Sequence, residues 1–186
     1  MPPPLGPAEV AAARGPWAGR EGQLDAPFWP TPAPLVEAML DLAEVGPDDF
    51  LIDLGCGDGR IAIAAAARGA RAVGSDLDAD RIAEAKAAAL AAGCADRAEF
   101  RQEDVFATDL ASASVVALYL VPHLHTLLHG RLLDQLRPGT RVVAHAFGIG
   151  DWAPEKQAIV EGRRIYLWRI PGGEPEEEDR PCARSF

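Results

Sequence analysis

A turn with three glycines at alternate positions is the feature of this sequence that most directly suggests chemistry. The stretch "LIDLGCGDGR", residues 51–60, places Gly55, Gly57 and Gly59 directly after a mostly aliphatic run. Glycines between a buried strand and a helix let the backbone approach a ligand closely, because no side chain stands in the way. We therefore expect a cofactor to bind at this turn, and two large cofactor classes bind in such a place.

The first class, the nicotinamide dinucleotides, fits the turn poorly. A dinucleotide site has the pattern G-x-G-x-x-G, in which the third glycine lets the helix pack closely beneath the pyrophosphate. This sequence has Arg60 at that position, and the carboxylate of Asp53, two residues before Gly55, would repel a pyrophosphate. The same charge favours S-adenosylmethionine, because it attracts the methionine ammonium directly or through water. The alternative is that Asp53 only orders the turn by binding its backbone amides.

Two further acids follow the next two predicted strands. Asp76 lies about 20 residues after the turn, where both cofactor classes place an acid on the ribose hydroxyls. It is alternatively a helix cap, although Asp78 suits that position better. Asp104, in "RQEDVF", is expected to accept from an adenine amino group while the Val105 amide donates to a ring nitrogen. The alternative for Asp104 is an ordinary acid of a surface loop.

The elements that must position these residues alternate between strand and helix along the chain. This alternation predicts a doubly wound, Rossmann-like α/β fold, with a mainly parallel seven-stranded sheet and helices on both faces. The stretch "AIVEGRRIYLWRI" predicts two strands around a turn at Glu161 and Gly162, which form an antiparallel C-terminal hairpin at the sheet edge. Before the first strand we expect a short amphipathic helix, with Thr31 as its cap and Pro32 in its first turn.

Length and composition favour one domain. The 186 residues, 48% of them hydrophobic, suffice for a single substantial core. We expect an irregular Pro/Gly-rich lead segment over residues 1–30, the folded domain over 31–171 and an acidic mobile tail over 172–186.

Charge and cysteine content restrict the partners and the compartment. A net charge of -10 disfavours a nucleic-acid partner, because most of the surface should repel a phosphate backbone. Three cysteines without a CxxC pair argue against disulfides and zinc, so we expect a reducing cytoplasm. His125 and His129, four residues apart, lack a third ligand at a matching spacing, and we expect no metal. Neither a secretion signal nor a membrane span is predicted, and no obligatory partner is inferred.

Three motifs together resemble a known class. "LIDLGCGDGR", "AVGSDLD" and "RQEDVF", in this order and spacing, resemble the class I S-adenosylmethionine-dependent methyltransferases over residues 50 to about 148. Further segments, "PFWPTPAPLVEAML", "ALYLVP", "LRPGTRVVAH" and "GDWAP", resemble a group of small bacterial methyltransferases related to mitochondrial protein-lysine N-methyltransferases. This second resemblance runs from about residue 27 to residue 170 and implies that the cofactor is S-adenosylmethionine.

The resemblance also implies roles for individual residues. In that group the Pro-rich lead motif folds back over the cofactor, so that Pro30 and Thr31 become candidate contacts to its methionine end. Members commonly carry an acid where this chain has His145 or Ala146, and serine where it has Cys56.

Methyl transfer needs few catalytic side chains, since alignment of the nucleophile and exclusion of water contribute most. After the fourth predicted strand the sequence reads Tyr119-Leu120-Val121-Pro122, which lacks the first polar residue of the Asn-Pro-Pro-Tyr motif of base methyltransferases. Tyr119 is a candidate contact for a substrate amine, or alternatively a core aromatic. His123 is a candidate base, or alternatively only a helix-start residue.

The complete prediction is an S-adenosylmethionine-dependent methyltransferase that acts on nitrogen, with a protein lysine as the first candidate acceptor. The alternatives are a small-molecule N- or O-methyltransferase and a non-catalytic cofactor-binding protein. The predicted catalytic residues are Tyr119 and His123. The predicted cofactor-binding residues are Thr31, Asp53, Gly55, Cys56, Gly57, Gly59, Asp76, Leu77, Asp104, Val105 and Tyr119. The predicted substrate contacts are Pro30, Pro122, Asp151 and Trp152, although Trp152 alternatively covers the end of the sheet.

Overall fold

The computed structural model describes residues 28–172 and, before them, Ala8 and Ala12, both helical. Most of the predicted lead segment, and the predicted tail after Gly172, lie outside the described residues, so the division of the chain into three parts stays a prediction. The four helices described from residue 28 on are α1 (Ala33–Leu42), α2 (Arg60–Ala67), α3 (Ala79–Ala91) and α4 (Pro122–Gln135). The strands are β1 (Phe50–Leu54), β2 (Arg71–Asp76), β3 (Ala98–Gln102), β4 (Val115–Leu118), β5 (Arg141–His145), β6 (Lys156–Val160) and β7 (Arg163–Arg169).

The strands form one seven-stranded sheet in the order β3-β2-β1-β4-β5-β7-β6. The first five strands in that order pair in parallel, and β7 pairs antiparallel with both β5 and β6. The predicted fold class is therefore confirmed. The chain leaves β1 toward β2 on one side and returns to β4 on the other, so the strand order reverses beside β1. Open α/β sheets bind ligands outside the carboxyl ends of the strands at such a point.

Helices cover both faces of the sheet, because each face carries its own apolar core. On one face Leu35 and Met39 of α1 are fully buried together with residues of α2 and α3. On the other face Leu124 and Leu128 of α4 pack with Trp168 of β7. Among the residues that the structure describes, none of the helices has the length and hydropathy that a bilayer crossing requires.

The helix starts follow the predictions in one case and depart from them in another. Asp78 caps α3, because its carboxylate accepts from the backbone N–H of Asp80 at 2.9 Å. The predicted cap of α1 is wrong, since the N-cap position belongs to Pro32 and no side chain bonds there. Thr31 is instead buried, and its hydroxyl lies 3.3 Å from Nδ1 of His145.

The C-terminal hairpin turns at the predicted residues. Glu161 and Gly162 both have positive φ, 49° and 75°, as the two central residues of a tight hairpin turn require. The following strand, β7, pairs antiparallel with β5 and so extends the sheet beyond β5.

Candidate active site at the carboxyl edge of the sheet

A crevice of about 920 Å³, its open mouth included, lies at the carboxyl edge of the sheet beside the point where the strand order reverses. The predicted site residues that line it are Pro30, Thr31, Asp53, Gly55, Cys56, Gly57, Asp76, Leu77, Asp104, Val105 and Tyr119. Other lining residues include Phe28, Trp29, Asp58, Arg60, Ile61, Asp78, Arg81, Leu120 and Leu124.

The three glycines after β1 have different neighbours. All have positive φ, so each adopts a backbone conformation that other residues rarely take. A Cβ on Gly55 would collide with Leu120, and one on Gly57 would lie 2.5 Å from the Phe28 ring, so these two glycines let side chains of the crevice pack directly against the backbone of the turn. Gly59 lies outside the crevice lining, against Phe100, where it lets α2 pack closely.

Asp53 combines burial with an unpaired oxygen. Its side chain is 2% exposed, and its Oδ2 atom has no hydrogen-bond partner among the described residues. Burial, followed by the nearby charges of Asp76 and Asp58, raises the pKa of Asp53 to about 7 from its usual 3.8. A cation placed at this oxygen would restore the charged form, so the site fits an ammonium group.

The other two predicted carboxylates are already held by the backbone. Asp76 accepts from the N–H groups of Gly57 and Asp78, both at 2.9 Å. Asp104 accepts from the N–H of Phe106 at 2.9 Å. Each carboxylate oxygen retains acceptor capacity for a ligand, because it has two lone pairs. The alternative interpretation of Asp76, a helix cap, is wrong, because Asp78 is the N-cap residue of α3.

The lead residues are fastened over the glycine turn by two arginines that the sequence analysis did not assign to the site. Arg60 donates to the carbonyl of Thr31 at 2.8 Å, and its Nε donates to Asp58 at 2.9 Å. The guanidinium of Arg81 lies 4.6 Å from the centre of the Phe28 ring, within cation–π distance. In the sequence, Arg60 stands where a dinucleotide site has its third glycine, and this difference could have indicated that Arg60 has a role at the turn.

Tyr119 meets a buried histidine from the neighbouring strand. The rings of Tyr119 and His145 are 4.0 Å apart between centres and tilted by 34°. His145 is fully buried, and burial, with a smaller effect of Arg163, lowers its pKa to about 4. Its Nε2 atom has no hydrogen-bond partner among the described residues.

Several predicted residues lie outside the crevice lining. His123 and Pro122 start α4 but do not line the crevice, and Asp151 is exposed. Trp152 stacks on His129 at 5.1 Å and carries a carbonyl that accepts from Trp168 Nε1 at 2.9 Å. Trp152 therefore covers the end of the sheet, which was the alternative interpretation of that residue.

His125, which forms the 125/129 pair with His129, has a structural role. His125 is buried, accepts from the Leu120 N–H at Nε2 (3.2 Å) and has Nδ1 at 3.2 Å from the Gly148 carbonyl. Within the described part of the chain, no group of three or more His, Cys, Asp or Glu side chains has a geometry that would hold a metal ion.

The crevice as a whole fits a cationic nucleoside. It has an unpaired buried carboxylate at β1, a turn whose Gly55 and Gly57 line the crevice, and carboxylates at the end of β2 and after β3. Three acids at this edge would repel a pyrophosphate, and they suit a ligand with an ammonium, ribose hydroxyls and an adenine amino group.

Comparisons with known proteins agree with this assignment. A family model described as the ANTKMT methyltransferase domain matches residues 53–156. A protein-lysine N-methyltransferase from Saccharolobus islandicus (strain REY15A) is 39% identical over 150 residues, covering 77% of this chain and 93% of that protein. The adenine nucleotide translocase lysine N-methyltransferase of Mus musculus is 32% identical over 155 residues, covering 82% of this chain and 67% of that protein.

A solved structure matches the same region. It is the crystal structure of an RNA methyltransferase from Salinibacter ruber in complex with S-adenosyl-L-homocysteine. It is 48% identical in sequence with a TM-score of 0.76, and the match covers 82% of this chain and 100% of that one.

Proposed function

Because this chain belongs to the ANTKMT methyltransferase domain family and is an S-adenosylmethionine-dependent methyltransferase, we propose that it methylates the side-chain nitrogen of a protein lysine. The observation that carries the proposal is the protein-lysine N-methyltransferase of Saccharolobus islandicus, which this chain matches over 93% of that protein's length. We place the reaction in a reducing cytoplasm, which suits the two buried free thiols of Cys56 and Cys94.

The crevice has two ends with different tasks. When bound, S-adenosylmethionine supplies a methyl group on a positively charged sulfur, which a nucleophile displaces directly. At the adenosine end, defined by Asp76, Leu77, Asp104 and Val105, the two carboxylates would accept from the ribose hydroxyls and the adenine amino group. The opposite end, defined by Thr31, Asp53 and Tyr119 with the buried His145 behind them, is the transfer end.

At the transfer end Asp53 would bind the cofactor ammonium, and the lead residues would exclude water above it. A lysine nitrogen reacts only after it has lost its proton. The Tyr119 hydroxyl and ring face are the groups that would orient the neutral amine, and the aromatic surface also accommodates the cation that forms on methylation. His123, predicted as a base, does not line the crevice, so no proton transfer is assigned to it.

RNA is the second candidate acceptor, because the Salinibacter structure is named as an RNA methyltransferase. Arg163 and Arg164, both exposed, start β7 beside the end of β5 and would suit a phosphate. However, the two arginines that line the crevice are engaged, Arg60 with Asp58 and Arg81 with Glu84. A net charge of -10 also opposes a phosphate backbone, so we propose lysine first.

The test follows the methyl group. The purified chain is incubated with methyl-tritiated S-adenosylmethionine and a cell extract, which is then divided into protein, RNA and small-metabolite fractions. We expect label in protein that resists nuclease and is released by protease, with lysines heavier by one or more methyl groups in mass spectrometry. An Asp53→Ala variant is the control. Label confined to RNA or to small metabolites would replace lysine with that acceptor.

A further inference from the structure

The strand order arranges the crevice from one end to the other. Asp104 follows β3, Asp76 ends β2, Asp53 lies in β1, and Tyr119 follows β4. Because the order in the sheet is β3-β2-β1-β4-β5, adenine, ribose and methionine would occupy successive positions along the edge. The reacting methyl group would then lie toward β4, and the next strand is β5. The last residue of β5 is His145.

His145 connects two segments that both line the transfer end. Its Nδ1 lies 3.3 Å from the Thr31 hydroxyl, and its ring packs 4.0 Å from the Tyr119 ring. Thr31 belongs to the lead residues, and Tyr119 follows β4, so one imidazole sets the spacing between them. Among the described residues, no other side-chain hydrogen bond of Thr31 or Tyr119 would do this.

The backbone after His145 is strained. Ala146 has a φ of 67°, a conformation that a residue with a side chain rarely adopts. The Phe147 N–H donates to the His145 carbonyl at 2.8 Å, which closes a three-residue turn around Ala146. The Ala146 N–H donates to the Arg164 carbonyl at 2.8 Å and holds this turn to β7. Strained residues persist where the surrounding structure holds them in one conformation. Here the strained turn fixes the backbone directly after His145, and with it the position of the imidazole.

The imidazole is neutral in this setting, since burial lowers its pKa to about 4. A protonated ring would place a positive charge beside the expected position of the sulfonium and would oppose a cationic acceptor. The ring and its unpaired Nε2 atom therefore suit a transfer end that receives cations.

We propose that His145 is a positioning residue of the transfer end, which holds the Tyr119 ring and the Thr31 hydroxyl in the geometry that methyl transfer requires. The inference holds for any acceptor, so it does not depend on the lysine proposal. The proposed role concerns the transfer end alone, because no contact of His145 reaches Asp76 or Asp104 in the described residues.

The test compares two cofactor analogues by calorimetry, so it needs no acceptor. S-adenosylhomocysteine lacks the methyl group, whereas sinefungin carries an amine-bearing carbon in place of the methyl sulfonium and therefore probes the transfer end. We expect His145→Phe to change the affinity for S-adenosylhomocysteine by less than threefold and to weaken sinefungin by tenfold or more. Thr31→Val should weaken sinefungin as well, and the double variant should be no weaker than His145→Phe alone.

A control variant separates positioning from general damage. His129→Phe alters a histidine that stacks on Trp152 outside the crevice and should leave both affinities unchanged. Equal losses for the two analogues, no loss for sinefungin, or additive losses in the double variant would each overturn the proposal. If His145→Phe fails to fold, His145→Asn, which keeps a polar group near Thr31, replaces it and should give a smaller sinefungin loss than Thr31→Val.

Discussion

The two ends of the crevice differ in how far the protein already satisfies their polar groups. At the adenosine end, Asp76 accepts two backbone N–H groups and Asp104 accepts one, all at 2.9 Å. At the transfer end, Asp53 Oδ2 and His145 Nε2 are buried without a hydrogen-bond partner in the described residues. Arg131 Nε and Glu103 Oε2, beside the adenosine end, are also buried without a partner in the described residues, so the contrast between the two ends lies in their aspartates. A ligand cation at Asp53 would offset a cost of about 1–3 kcal/mol for its unpaired oxygen.

A buried arginine adds to the order of the adenosine end. Arg131 of α4 donates to the carbonyl of Val105 at 3.0 Å and to that of Thr108 at 2.9 Å. The Thr108 hydroxyl in turn donates to the Ser75 hydroxyl at 3.0 Å, next to Asp76. The loop after β3 and the end of β2 are thus held in one network. The comparison suggests that the adenosine end is a preformed frame, whereas the transfer end is completed by its ligand.

The largest expected effect comes from Asp53→Asn. Loss of the charge should weaken S-adenosylhomocysteine by about 3 kcal/mol, roughly 150-fold, because a buried ammonium would lose its counter-charge. The free energy of unfolding at pH 8 should rise instead. The pKa of Asp53 is about 7 when folded and near 3.8 when unfolded, so stability falls as pH rises through that window. Calorimetry and urea denaturation measure the two opposite changes.

Asp96→Asn is the matched control for this substitution. Asp96 is exposed before β3, at the opposite edge of the sheet, and should change neither quantity. Unchanged affinity in Asp53→Asn would show that the cofactor ammonium lies elsewhere.

Asp76→Ala tests the adenosine end. We expect the affinity for S-adenosylhomocysteine to fall by about 2 kcal/mol, since the ligand loses its ribose acceptor and the turn loses its bonds to Gly57 and Asp78. Unlike Asp53→Asn, this variant should also lower the free energy of unfolding. An unchanged dissociation constant would remove Asp76 from the site.

The pH dependence of binding sharpens the comparison, because the raised pKa of Asp53 places the titration of the transfer end near neutrality. In the free protein Asp53 is protonated below about pH 7, in the field of Asp76 and Asp58. The cofactor ammonium requires the ionised form, so binding releases a proton below pH 7. Affinity for S-adenosylhomocysteine should therefore rise about tenfold, or ~1.4 kcal/mol, from pH 6 to pH 8, with most of the rise below pH 7.

Calorimetry at pH 6, 7 and 8 measures this dependence, and buffers of different ionisation enthalpy count the released proton. Asp53→Asn should give a flat profile. A wild-type profile that is already flat from pH 6 to pH 8 would contradict a raised pKa at Asp53.

Tyr119→Phe tests the hydroxyl at the transfer end. We expect kcat to fall about threefold to tenfold, roughly 1 kcal/mol, through loss of one hydrogen bond to the acceptor, with cofactor affinity within twofold of the wild type. Tyr166→Phe is the control, because Tyr166 packs against Trp168 on the sheet and lies outside the crevice lining. Equal kcat values for the two variants would leave Tyr119 a packing residue.

The sequence predicted the sheet and the acids at its strand ends better than the contacts between distant segments of the chain. The alternation of apolar strands and helices determined the sheet, and the acids at strand ends were recognisable because parallel strands finish at one edge. The contact between Thr31 and His145 joins residues 114 positions apart, which no local pattern encodes. Thr31 was expected to cap α1, but a buried partner in β5 binds its hydroxyl instead. His123 appeared chemically suitable, yet the crevice is lined by Leu124, the next residue of α4, and not by His123.

The smallest expected effect concerns the strain after β5, which has no counterpart at the adenosine end. Ala146→Gly removes the Cβ from a residue with a φ of 67°. Relief of the backbone strain should stabilise the fold slightly more than the extra conformational freedom of glycine in the unfolded chain destabilises it. The free energy of unfolding should therefore rise by about 0.5 kcal/mol. Ala87→Gly, at an exposed position within α3, should instead lower it by about 1 kcal/mol.

If this strain positions His145, relief should also loosen the ring. Ala146→Gly should then weaken sinefungin about twofold to threefold while the affinity for S-adenosylhomocysteine stays constant, as measured by calorimetry. A gain in stability with unchanged affinity for both analogues would show that the transfer end keeps its geometry without the strained turn. In that case the Thr31 and Tyr119 contacts alone would position the imidazole.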